Sequence, residues 1–301
     1  MTTTVAKHAA KSGAAARTAQ RDRPHPGLVV AVTVLGALLL AALLAPWVAP
    51  YDPLAQDLLN RNGGPSAAHL LGTDQFGRDV LSRLIWGGRN AFGGVVIAVG
   101  VTTVVGVSWG TVAGFWPRFT GTALMRLADI MIAFPTMVLA VAITGSLGPG
   151  LTTSMVAIGL VLAPNTAQLT RSGVLALRER QFVQSARLSG VPAPVVLLRH
   201  VLPLALRPVV VQLTIYTGLA FVIQGVLSFL GLGVAKPTPS WGSDLSDAYS
   251  QILSAPLQII APGVLLGVVV LCVYRIGDAL RDRMSSGAVR TERTEDDVIV
   301  A

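Results

Sequence analysis

The sequence predicts an all-α polytopic membrane protein of about six transmembrane helices, and three observations predict it. Of 301 residues 52% are hydrophobic and only 13% are charged, whereas a soluble domain carries about 25% charged residues. The mean hydropathy is +0.64, more apolar surface than a soluble fold can hide. The charges are also gathered so as to leave uncharged windows at 24–51, 90–117, 130–170, 208–235 and 248–274. Each window exceeds the roughly 20 residues that a helix needs to cross a bilayer.

The third window is close to twice the hydrocarbon thickness when coiled at about 1.5 Å per residue. It must contain a turn, and the Gly-Ser-Leu-Gly-Pro-Gly run at 145–150 supplies one. The expected spans are therefore 27–49, 91–115, 122–145, 151–172, 208–233 and 257–276. The first resembles a secretory signal, but its uncharged run and its basic leader are both too long for one. It is expected to stay in the protein as an anchor helix. The lone Cys272 excludes an intramolecular disulfide.

Six spans place both termini on one side, and the Lys and Arg bias selects that side. With the termini cytoplasmic, 18 of the 23 basic residues lie inside, and Arg61, Arg78, Arg83, Arg89 and Lys236 lie outside. The net charge of +8 is read as this topological bias and not as a nucleic-acid surface. Residues 1–26 and 285–301 read as disordered cytoplasmic tails. The expected organisation is thus a tail at 1–26, the first span with an extracytoplasmic loop at 27–89, a transmembrane domain at 90–284, and a tail at 285–301.

Within the outside segment, Leu81, Leu84 and Ile85 share a helical face and Asp79 and Arg83 stand four apart. The spacing predicts an amphipathic helix on the outer surface, with Asp79 and Arg83 as a local pair. Gly106, Gly110 and Gly114 form overlapping small-residue repeats that permit close helix packing, expected within one subunit and not at a dedicated dimer face.

The segment 171–207 is too polar to span and too apolar to be a free linker. Phe182, Val183 and Ala186 share one helical face, Gly190 suits the left-handed residue that ends a helix, and Pro192 and Pro194 forbid continuation. Val195 to Leu202 can then form a second short helix, which Pro203 is expected to stop. Two short helices joined by a tight bend would offer an apolar knob on the cytoplasmic side, near 180–203. A pair of helices on the membrane surface would look similar.

Here the chain resembles a known family. Gln184-Ser185-Ala186 with Gly190, followed by Arg199-His200-Val201-Leu202-Pro203, is similar to the EAA motif of ABC importer permeases. Gln184 stands where that family usually has Glu. Leu227 to Gly233, including Gly231 and Gly233, and Pro237 to Gly242, including Pro239 and Trp241, narrow the likeness. So do Gly72-Thr73-Asp74, Gly77-Arg78-Asp79, and Met125 to Asp129 with Ala133-Phe134-Pro135. Together they resemble the C-type permease subunit of dipeptide, oligopeptide and nickel importers, over roughly residues 28–284. Trp241 as an interfacial anchor, and Arg126 with Asp129 as a structural pair, are the plainer readings of those residues.

The resemblance implies a type I ABC importer permease fold in which Gln184, Ser185, Ala186, Gly190, His200 and Pro203 belong to the loop that couples to the ATPase. It also implies two ATPase subunits, a second homologous permease subunit and an extracytoplasmic solute-binding protein as partners. Peptides, nickel chelates and haem-like solutes remain alternatives for the cargo. Of the lysines, Lys7, Lys11 and Lys236, none completes a phosphate-binding loop. No cofactor or catalytic residue is therefore expected in this chain, and ATP and magnesium are expected on the partners. An ion-coupled transporter would need ionisable groups at mid-membrane, and only Asp129 approaches a span interior. No HExxH motif marks a metal enzyme.

Overall fold

The computed structural model describes residues 26–116 and 118–299; the expected N-terminal tail lies outside the described residues. Eleven helices are used below: α1 Pro26–Leu43, α2 Ala45–Val48, α3 Val80–Phe115, α4 Phe119–Ala133, α5 Thr136–Leu147, α6 Leu151–Arg178, α7 Gln181–Leu188, α8 Ala193–Ala205, α9 Arg207–Phe229, α10 Trp241–Ser250 and α11 Ile260–Ile299. No strand occurs among the described residues, only an isolated bridge between Thr73 and Asp79.

Four segments are long and apolar enough to cross a membrane alone: α1, α3, α9 and Ile260–Met284 of α11. The span expected at 122–145 is broken. Helices α4 and α5 meet at 98°, because Pro135 cannot donate a backbone N–H and pushes Phe134 into extended backbone at φ −85°, ψ 140°. The fourth expected span, 151–172, coincides with α6, about 42 Å long at the α-helical rise. It carries Asn165, Gln168 and Arg171 and is less apolar, because it is the central helix, covered by α3, α4, α5 and α9.

Helices α3 and α6 run in the same direction in close contact. Gly94, Ala98, Thr102, Gly106, Gly110 and Gly114 recur every fourth residue along α3, and all are buried. Opposite them stand Met155, Gly159, Ala163, Ala167 and Val174 of α6. A Cβ on Gly110 would lie 2.6 Å from Thr170 Cβ and closer still to the Ala167 carbonyl. The small-residue stripe therefore serves packing within the subunit, as expected. The main core adds Phe92, Phe221, Ile223, Leu227 and Val269 around this pair.

Two other expectations change. The region 79–86 is no separate surface helix: α3 begins at Val80 and runs unbroken for 36 residues, capped by the Asp79 carboxylate on the Ser82 N–H. The C-terminal segment expected to be a disordered tail is helical to Ile299. That stretch holds no proline, so nothing forces an end on a helix nucleated by the apolar span, which propagates through it.

Candidate functional site

At one end of the bundle, α7 and α8 form a compact loop on the ends of α3 and α6. Val183, Val196, Leu197, Val201 and Ala205 pack with Val174, and Phe115, Leu177, Ala186 and Val191 close the cluster. The turn between the helices is a Schellman motif. Gly190 adopts φ +79°, and the Val191 N–H donates to the Ala186 carbonyl at 3.1 Å, joining the two apolar ends of the turn.

The face that points away from the bundle differs from the expected one. Phe182 is exposed together with Leu188, which is 89% accessible, Val195 and Leu198. Val183 alone carries the inward contact of the first turn, and Ala186 is half-buried. Gln184, Ser185, His200 and Pro203 are all exposed. Gln184 Nε2 donates to the Glu179 carbonyl at 3.2 Å, a bond that the carboxylate of a glutamate could not make. Pro203 does not stop α8. A π-turn over Leu197–Val201 closes on the Leu202 N–H and absorbs the missing donor, so the helix continues to Ala205.

At the opposite end, segment 52–79 is locked onto α10 by a buried charged clasp. Arg78 Nε donates to Asp74 Oδ2 at 2.6 Å, and Arg78 Nη2 approaches Asp247 Oδ2 at 3.4 Å. Lys236 Nζ donates to Asp247 Oδ1 at 2.5 Å. Arg83 is paired with Asp244 through Nε at 2.9 Å and also Nη2, and its Nη1 reaches the Pro53 carbonyl at 3.1 Å. Asp79 does not pair with Arg83; it caps α3 and meets His69 Nδ1 at 3.0 Å. Gln258 Nε2 adds a bond to the Thr73 carbonyl at 2.6 Å.

These contacts join the Gly72–Asp79 and Pro237–Gly242 motifs, far apart in sequence, into one structure. Trp241 is no interfacial anchor: it is 4% exposed, donates from Nε1 to the Leu84 carbonyl at 2.8 Å, and packs against Phe92 and Phe221. The Asn90 side-chain amide donates to the Pro239 carbonyl at 2.9 Å. Gly231, at φ +78°, ends α9, and Gly233 lies against Ser228. Arg126 and Asp129 are not ion-paired; Asp129 accepts from Gln168 Nε2 at 2.9 Å. Pro135 forms the exposed elbow between α4 and α5. Among the described residues no group of His, Cys, Asp or Glu is arranged to hold a metal ion.

Residues 106–286 match the family model described as the binding-protein-dependent transport system inner membrane component. The chain belongs to this family. Residues 17–65 also match the N-terminal TM domain of oligopeptide transport permease C. The permease is 38% identical over 85% of its length to the dipeptide transport system permease protein DppC of Alkalihalophilus pseudofirmus, covering 84% of that protein. It is 41% identical over 82% of its length to the di/tripeptide transport system permease protein DppC of Pseudomonas aeruginosa, covering 84% of it. With the glutathione transport system permease protein GsiD of Escherichia coli it shares 35% over 87% of its length, covering 86% of that protein. A chain of the MetNI methionine ABC transporter, solved in inward-facing conformations, superposes with TM-score 0.54 at 16% identity. That match covers 67% of the permease and 96% of the solved chain, and it identifies the type I importer permease fold.

The clasp of this permease yields a pH-dependent prediction. Burial pushes the Asp244 carboxyl up to about 6, against the lowering pull of Arg83. Arg83→Met removes that pull and lifts the group further. An acid whose pKa folding has raised costs stability as pH rises towards the folded value. In the wild type that cost is complete just above pH 6, whereas in Arg83→Met it keeps growing. The difference in thermal midpoint between the two should be smallest near pH 5.5 and widen towards pH 8, where breaking a buried pair costs about 3 kcal/mol. A gap that does not change with pH would contradict the clasp as described.

Proposed function

We propose that this chain is one transmembrane subunit of an ATP-driven importer for di- and oligopeptides. The observation that carries this reading is the α7/α8 loop: it has its own apolar cluster rooted on the ends of α3 and α6, yet it leaves Phe182, Leu188, Val195 and Leu198 uncovered. A loop of that build on a permease of this family accepts an ATPase subunit and transmits its movement to the spans. Two ATPase subunits hold ATP and magnesium, a second homologous permease subunit completes the path, and an extracytoplasmic binding protein delivers the solute. The peptide cargo follows from the dipeptide, di/tripeptide and glutathione permeases named above, which share at least a third of the sequence. Both termini and the α7/α8 loop are cytoplasmic, and the clasp is outside, as the Lys and Arg bias requires.

Uptake of a radiolabelled dipeptide into cells expressing the complete set of subunits tests the function, and it should disappear when the ATPase genes are omitted. Orientation is tested with single cysteines in a Cys272→Ala background. Ala67→Cys and Ser189→Cys suit the purpose, because both positions are exposed, whereas Ser82 is buried. An impermeant thiol reagent applied to intact cells should label Ala67→Cys and leave Ser189→Cys untouched until the cells are opened. The reverse pattern refutes the orientation, and uptake that persists without the ATPases refutes the energy source.

A further inference from the structure

Helices α4 and α6 share a polar face that neither the clasp nor the α7/α8 loop uses. Asp129 and Gln168 are exposed and joined by the 2.9 Å bond from Gln168 Nε2 to Asp129 Oδ1. Arg126, one turn earlier on α4, is exposed and forms no ion pair among the described residues. Asn165 and Ser172 extend the face along α6 at helical spacing.

The depth of this face decides what it can meet. Gln168 precedes Arg178, the last residue of α6, by ten residues, or about 15 Å of helix. Val174 and Leu177, which root the α7/α8 loop, lie between them. On the expected spans 122–145 and 151–172 the face falls within the membrane, with Gln168 about one turn from its loop-side edge. Ionised groups at that depth meet the interior of a bundle, a partner or water, and not lipid tails. The outward stripe of α3 makes the contrast, because Gly93, Val96, Gly100 and Val104 are exposed and wholly apolar or small, as lipid requires.

We infer that the α4/α6 face lines the water-filled translocation path, with Asp129 receiving the ammonium of a zwitterionic solute and Arg126 its carboxylate. The inference rests on the permease reading above. Opposite charges one turn apart on a single helix face match the two ends of a short peptide. The Gln168 amide holds one carboxylate oxygen of Asp129 and leaves the other open to the path. A second permease subunit seated on this face is the competing occupant, and the test separates the two.

The importer assembled with its partner subunits is placed in proteoliposomes in a Cys272→Ala background, and Gln168→Cys and Val104→Cys are introduced singly. The probes are a cationic and an anionic methanethiosulfonate of similar size. Gln168→Cys should react at least about tenfold faster than Val104→Cys. It should prefer the cationic reagent, and adding Asp129→Asn should cut that preference several-fold while Asp129→Glu preserves it. If Gln168→Cys is as slow as Val104→Cys, lipid or a partner covers the face and the inference is wrong. If it is fast but Asp129→Asn leaves the charge preference unchanged, Asp129 does not face the path. Labelling does not depend on cargo, so an importer that takes up no dipeptide refutes the proposed function and leaves this inference standing.

Discussion

Replacing Gly110 with leucine is expected to remove almost all correctly assembled permease from the membrane. The first added carbon would collide with the Ala167 carbonyl and with Thr170. Backbone on the facing helix cannot rotate aside as a side chain can, so the helices must separate. Separation acts along the whole stripe from Gly94 to Gly114, where every fourth residue of α3 rests on α6. Overpacking of a core costs about 1–3 kcal/mol where side chains can adjust, and here the loss should exceed that range. Gly110→Ala, one methyl group, should give an intermediate yield. The measurement is the amount of monodisperse permease extracted in mild detergent, with its thermal midpoint; wild-type values for Gly110→Leu would refute the packing described.

Exchanging both Phe182 and Leu188 for serine should reduce capture of the ATPase subunits at least about tenfold and abolish uptake, with the yield and thermal midpoint of the permease unchanged. Both side chains project from α7 away from the cluster around Val183, so their removal takes nothing from the fold. If they form the contact with the ATPase, its apolar centre disappears with them. Gly190 provides the matching control on geometry. A Cβ there would meet nothing within 4 Å, and only the φ of +79° disfavours a side chain, so Gly190→Asn should couple well and Gly190→Leu poorly. Normal capture by the double serine variant would show that the loop docks elsewhere.

Most spans were legible because charges avoid hydrocarbon, which leaves windows that need no knowledge of tertiary structure. The break at Phe134-Pro135 was hidden by the same logic: hydropathy is blind to a bend inside a continuous apolar run, although Pro135 was there to be read as a breaker. The turn at Gly190 was legible because its hydrogen bonds are local. The clasp was not. Asp79 and Arg83 stand at the spacing of a helical pair, but their partners are set by tertiary packing, and Arg83 finds Asp244 161 positions away. The available signal was the gathering of Asp244 and Asp247 beside the Pro237–Gly242 motif, and of Arg78 within and Arg83 beside the Gly72–Asp79 motif.

The unbroken run of α3 has a mechanical consequence. A helix of 36 residues is a rod of about 54 Å, held at one end by the clasp and touching the α7/α8 cluster through Phe115 at the other. Tilting such a rod by about 5° shifts one end against the other by about 5 Å. With the clasp holding one end, a push on the loop end turns α3 about the clasp as one body, and the loop end travels about one helical turn without any residue between them changing its conformation. The clasp is thus the fulcrum of α3, and the stiffness of its ion pairs sets how freely the rod can turn.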